Sequence, residues 1–155
     1  QVQLDRGFKS IIVRSTDGLD ELSTSAPTQI WDVTSGLLRE SILDPSELGF
    51  QPATLDQLRG GDAQYNAQVV REILAGRTDG NFLAIRDVVA LNAAATMVAY
   101  DAAKESKRFG ETTDSTVARI ARALQVAYNS LDTGAAKSLL DVWVSISQRF
   151  ALAAN

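Results

Sequence analysis

Between Phe82 and Tyr100 the chain carries Leu83, Ile85, Val88, Val89, Leu91, Met97 and Val98 among alanines, and only Arg86, Asp87, Asn92 and Thr96 interrupt them as polar residues. A helix without a polar face has to be enclosed by the rest of the molecule, so this segment is expected at the centre of the fold. It is read as a core helix and not a membrane span. Its uninterrupted apolar portion falls short of the ~20 residues a bilayer needs, and Arg86-Asp87 stand near its start. Asn92, Thr96 and Tyr100 recur every fourth residue and share one face, where Asn92 is expected to be satisfied in the core or packed against a loop.

The remaining segments have to pack around that helix. Ile11-Ile12-Val13 is short, β-branched and bounded by polar residues, as a buried strand over 10–14 requires. Gln29 to Val33 and Leu37 to Leu43, separated by Thr34-Ser35-Gly36, read as a β-hairpin. Asp44-Pro45-Ser46-Glu47 opens a one-turn helix that Gly49 stops, and Thr54-Leu55-Asp56-Gln57 has the capping-box pattern of a second short helix before Gly60-Gly61.

Four longer helices complete the pattern. Asp62 caps one over 63–75, closed by Gly76, and the apolar segment is the next. After an irregular charged connector over 104–113, a helix over 114–131 sets Val117, Ile120, Ala121, Leu124, Ala127, Tyr128 and Leu131 on one stripe, leaving Arg119 and Arg122 to a solvated face. The last helix begins near Thr133 and is expected to bury Leu139, Leu140, Trp143, Ile146 and Phe150. Few strands and many helices give an α/β or α+β piece in which helices outweigh the sheet. The 155 residues suffice for one domain with a true core, and no internal repeat or long linker divides them.

Composition limits the chemistry. There is no cysteine and no histidine, which excludes thiol nucleophiles, zinc-thiolate sites, imidazole ligands and a Ser-His-Asp triad. Fifteen Lys and Arg against 19 Asp and Glu leave a net charge of −4, which argues against a nucleic-acid surface. The N-terminus lacks a basic segment followed by an apolar one, so no signal peptide is read and a cytoplasmic location is the default expectation.

Two stretches invite a ligand. Gly60-Gly61-Asp62 precedes a helix but lacks the spacing and the lysine of a phosphate-binding loop, and is read as helix punctuation. Thr16 to Ser23 is an acidic loop directly after the first strand, and in α/β sheets ligands sit beyond the carboxyl ends of strands. Its adjacent Asp20 and Glu21 suit Mg²⁺, a hard cation that takes one or two carboxylates and fills its other positions with water and phosphate oxygens.

In order, Asp17-Gly18-Leu19-Asp20-Glu21-Leu22-Ser23 with Pro27-Thr28, Leu43-Asp44-Pro45 to Leu48-Gly49, Leu55 to Ala63 with Asn66-Ala67, and Arg86 to Ala94 resemble the C-terminal half of the anthranilate phosphoribosyltransferase family; Leu131 to Ala136 is a weaker fifth match. The resemblance spans nearly the whole chain. It implies an incomplete large α/β domain of the nucleoside phosphorylase/phosphoribosyltransferase fold over residues 1–155, with one parallel strand plus a hairpin packed by several helices. It also implies transfer of phosphoribosyl from phosphoribosyl pyrophosphate to anthranilate in tryptophan biosynthesis, with Mg²⁺ and no organic cofactor, and it matches Asp20 and Glu21 to the acidic pair that holds the metal.

The departures from the family pattern are as informative. The glycine-rich Gly-Thr-Gly-Gly-Asp loop, the Lys-His-Gly-Asn segment and the arginine that contacts anthranilate do not occur here, nor does the small helical domain. Arg14-Ser15 stands where many relatives have His-Gly, and the connector over 77–85 is longer than usual. The chain alone is therefore expected to be inactive and to need an N-terminal half or self-association. A non-catalytic binding or structural relative of the same fold is the alternative reading, and a nucleoside phosphorylase ranks last.

Overall fold

The computed structural model describes residues 1–153. Helix α1 (Val2–Asp5) leads into strands β1 (Ile11–Ser15), β2 (Thr28–Asp32) and β3 (Arg39–Leu43). A 3₁₀ turn, Pro45–Leu48, and helices α2 (Ala63–Leu74), α3 (Phe82–Ala103), α4 (Thr116–Asp132) and α5 (Ala135–Ala153) follow. The mixed α/β class and the helix-rich balance agree with the sequence reading.

The strands form one sheet in the order β1-β2-β3, antiparallel throughout, with Val13 opposite Ile30 and Ile30 opposite Ser41. The hairpin is where the sequence put it. The first strand is not the parallel strand expected; within this chain it pairs antiparallel with β2, because a 12-residue return through the acidic loop lets the chain double back beside it. The inner face alternates with period two, Thr28, Ile30 and Asp32 being buried on β2.

Against that face pack α3 and α4, the most extensively joined pair of helices. Small residues make the approach close: Ala90 and Ala94 on α3, and Ala123 and Ala127 on α4, are all buried with Leu91, Val98, Ile120 and Leu124. Leu22, Ile30, Leu43, Phe50, Ile73 and Phe109 close the core around them.

Helix α3 is long and apolar enough to cross a membrane, more so than the sequence reading allowed. In the fold it is a core helix on one side only. Ala90, Leu91, Ala94, Val98 and Ala102 are buried, whereas Leu83 and Val89 are each 43% exposed and Tyr100 is 64% exposed. Full enclosure fails because the three-stranded sheet, α4 and the apolar side of α2 do not surround the helix.

Helix α5 departs further. Leu139 (69%), Trp143 (67%) and Phe150 (73%) face water and Ile146 is exposed as well, so the apolar side expected to be buried has nothing over it.

The local punctuation holds at the 3₁₀ turn and at α2. Asp44 accepts the amide of Ser46 at 2.9 Å ahead of Pro45, Gly49 ends that turn at φ +82°, and Asp62 accepts the amide of Tyr65 at 2.8 Å at the start of α2. The capping box at Thr54 forms both of its bonds with Gln57, 2.8 and 3.3 Å, yet only a succession of turns follows. With Gly60-Gly61 so close, too few residues remain to repay helix nucleation.

Arg119 is the largest fully buried side chain, which reverses its expected solvated position. Its Nη1 lies 3.3 Å from Asp32 Oδ2 and donates to Thr34 Oγ1 at 2.9 Å. Asp32 is satisfied further by Thr116 Oγ1 at 2.5 Å and by the amide and hydroxyl of Thr34 at 2.7 and 2.6 Å. Burial pushes the Arg119 guanidinium down from its ordinary value, and Asp32 opposes that push. Arg122 is at the surface as expected, bonded to Phe109 O and Asp114.

Candidate functional site

The acidic loop leaves the end of β1 in a tight turn. Gly18 sits at φ +99°, a conformation glycine adopts without strain, and its amide reaches Ser15 O at 3.3 Å. Ser15 N donates to Leu19 O at 2.9 Å, and Thr16 N and Oγ1 both donate to Pro27 O at 3.0 Å.

Asp17 is the hub of this turn. Its Oδ1 accepts the amide of Leu19 at 3.1 Å, and its Oδ2 accepts the hydroxyls of Ser23 at 2.7 Å and Ser25 at 2.5 Å. Partial desolvation raises its pKa, but the hydrogen bonds from Ser25, Ser23, Ser15 and Leu19 outweigh it, and the carboxyl is drawn down to about 2. Asp17 is thus an ionised structural anchor. In the sequence Asp17 stands before Gly18, a common turn pair; Ser23 and Ser25, six and eight positions on, were the available sign of its role.

The far end of the loop is fastened to α3. Leu22 is fully buried in the core. Its amide donates to Asn92 Oδ1 at 3.1 Å, and Asn92 Nδ2 donates back to Leu22 O at 2.8 Å. Asn92 therefore does pack against a loop, and the loop is this one.

Between the two fastenings stand Asp20 and Glu21, both exposed, with no hydrogen bond or ion pair among the described residues. No group of three or more His, Cys, Asp or Glu able to hold a metal occurs among the described residues. The pair nonetheless fits a Mg²⁺ ion as a partial ligand set. Its oxygens are hard donors, they are not engaged by any cation of the protein, and Mg²⁺ ordinarily keeps several waters or phosphate oxygens. The Gly60-Gly61 break binds within its own chain, Gly61 N to Asn66 Oδ1 at 2.9 Å and Asn66 Nδ2 to Gly61 O at 2.9 Å, as helix punctuation does.

A three-stranded antiparallel sheet flanked by long helices, with an acidic loop after its first strand, makes this a mixed α/β domain. Residues 2–137 match the glycosyl transferase family, a/b domain, and the chain belongs to that family. Within it, the chain is 43% identical over 143 residues to an anthranilate phosphoribosyltransferase from Arthrobacter sp. (strain FB24), a match that takes in 92% of this chain and 37% of that relative. The structure is similar to the anthranilate phosphoribosyltransferase of Thermus thermophilus, with a TM-score of 0.56 and 30% identity, over 85% of this chain and 36% of that one. It also shares the fold of the Saccharomyces cerevisiae enzyme in complex with PRPP and Mg, at 24% identity and a TM-score of 0.51, over 80% of this chain and 33% of that one. The resemblance drawn from the sequence is borne out. The chain spans a little over a third of the length of the relatives it matches.

Proposed function

We propose that residues 1–155 are the C-terminal, Mg²⁺-binding portion of an anthranilate phosphoribosyltransferase, the enzyme that moves phosphoribosyl from phosphoribosyl pyrophosphate to anthranilate. The observation that carries this reading is the unpaired Asp20-Glu21 on a loop fastened at both ends, in a chain of this family. The complex of a structural neighbour with PRPP and Mg supports it. Held there, Mg²⁺ would offset the negative charge that gathers on the departing diphosphate. The loop's part is to present the two adjacent carboxylates, exposed and free of protein partners, with no histidine required. On this reading the reaction is cytoplasmic, phosphoribosyl pyrophosphate and anthranilate bind only with an N-terminal half in place, and the net charge of −4 speaks against a nucleic-acid partner.

The chain alone is expected to show no turnover of anthranilate, followed by loss of its fluorescence with phosphoribosyl pyrophosphate and Mg²⁺ present. Joined to the preceding residues of the Arthrobacter relative, it is expected to become active. In that fusion Asp20→Asn with Glu21→Gln should lower kcat/KM by at least ~10²-fold, the scale of losing a charge-stabilising contact. Activity of the isolated chain would remove the claim of incompleteness, and an undiminished double variant would remove the metal role.

A further inference from the structure

The metal loop is fastened in part by a residue far from it in sequence. Asn92 reaches it from the middle of α3, 70 positions away in sequence. Its Oδ1 takes the amide of Leu22 at 3.1 Å, and its Nδ2 gives to Leu22 O at 2.8 Å and to Val88 O at 2.9 Å. All three bonds require a group that both accepts and donates, and the side-chain amide of Asn does so. A carboxylate at this position would face two carbonyl oxygens with no proton to offer, and an apolar side chain would leave every partner unpaired.

Leu22 directly follows Glu21, and its side chain is locked in the core. Asp17, held by Ser23 and Ser25, closes the loop from the other end. Gly18 to Glu21 is therefore a short span between fixed points, in which Asp20 and Glu21 have no bond of their own.

From this geometry we infer that Asn92 is a positioning residue for the cation site: by pairing with both backbone groups of Leu22 it sets the Asp20-Glu21 backbone before any metal arrives. The inference rests on the Mg²⁺ reading above. Its physical content is preorganisation, since a loop already ordered spends less of the binding free energy on ordering itself, and outer groups of this kind change metal affinity by ~10–100-fold when removed.

The test uses the ¹⁵N-labelled 155-residue chain and Mn²⁺, a carboxylate-seeking cation whose paramagnetism broadens nearby amide signals. Wild-type protein is expected to show broadening centred on residues 19–22, lost in the Asp20→Asn, Glu21→Gln double variant. Asn92→Asp, with amide signals of the α3–α4 core unchanged, should need at least ~10-fold more Mn²⁺ for the same broadening. Independently of any variant, the Leu22 amide of the metal-free wild type should exchange slowly with deuterium. Were Asn92→Asp to bind Mn²⁺ like wild type, or the Leu22 amide to exchange freely without metal, the positioning role would be overturned while the metal reading stood. Wild-type broadening that is absent, or that survives the double variant, would overturn the metal reading itself and this inference with it. Should Asn92→Asp not fold, the Leu22 exchange measurement decides alone.

Discussion

Arg119 shows how a single side chain can be misread from periodicity. On a helical wheel it falls beside the apolar stripe of α4, which for an isolated helix means water. In the fold that flank meets the inner face of β2, where Asp32, Thr34 and Thr116 form a polar nest that leaves both charges 1% exposed. A buried pair of this kind adds little over apolar residues of equal volume, but breaking it strands a charge. Arg119→Leu is therefore expected to cost ~3–5 kcal/mol in urea unfolding, whereas replacing Arg119 and Asp32 together by leucine and asparagine should recover a good part of that loss. Equal losses in the single and double variants would show that the pair is not the reason for the cost. Asn92 was legible as a polar residue that packs against a loop; its partner, Leu22, was not, because nothing local links positions 70 apart.

At the scale of elements, helix starts and stops were the most legible features, since caps, prolines and glycines act within a turn. Burial was the least legible. Helix α3 has apolar residues on every side, so its sequence does not say which flank the sheet and α4 occupy; the structure assigns that flank to Leu91 and Val98 and leaves Leu83 and Val89 outside. Truncating Leu91 to alanine should accordingly cost ~2–5 kcal/mol by denaturant titration. Leu83→Ala should stay within ~0.5 kcal/mol. Similar costs at both positions would mean that α3 is enclosed on all sides in solution. The capping box at Thr54 makes the complementary point: its two hydrogen bonds form as the sequence specifies, and the glycines behind it still prevent a helix.

For the molecule as a whole, the exposed apolar surface is the dominant property. Leu139, Trp143 and Phe150 on α5 recur at spacings of four and seven, and the outer face of the sheet adds Ile12, Ile42 and a cleft of about 390 Å³ lined by Val2, Trp31 and Leu38. Exposed apolar patches of that kind draw a partner, and in a preparation holding only this chain the partner available is a second copy. Light scattering after size exclusion is expected to give a mass above 16.7 kDa that rises with concentration, and Leu139→Glu with Trp143→Glu should bring it down toward that value. A concentration-independent 16.7 kDa species of the unaltered chain would contradict the expectation.

By itself the sequence determined the hairpin, the succession of four long helices, the caps at Asp44 and Asp62, the apolar character of α3 and the acidic pair Asp20-Glu21, all of them properties set by residues within a few positions of one another. Only the tertiary structure decided that β1 runs antiparallel to β2, that Arg119 is buried on Asp32, that α5 stands uncovered, and that Asp17 and Asn92 fasten the acidic loop from its two ends. The physical reason is the same in each case. Capping, turns and periodicity are local energies, whereas burial and polar pairing depend on which distant surface arrives, and one sequence stretch carries no record of that surface.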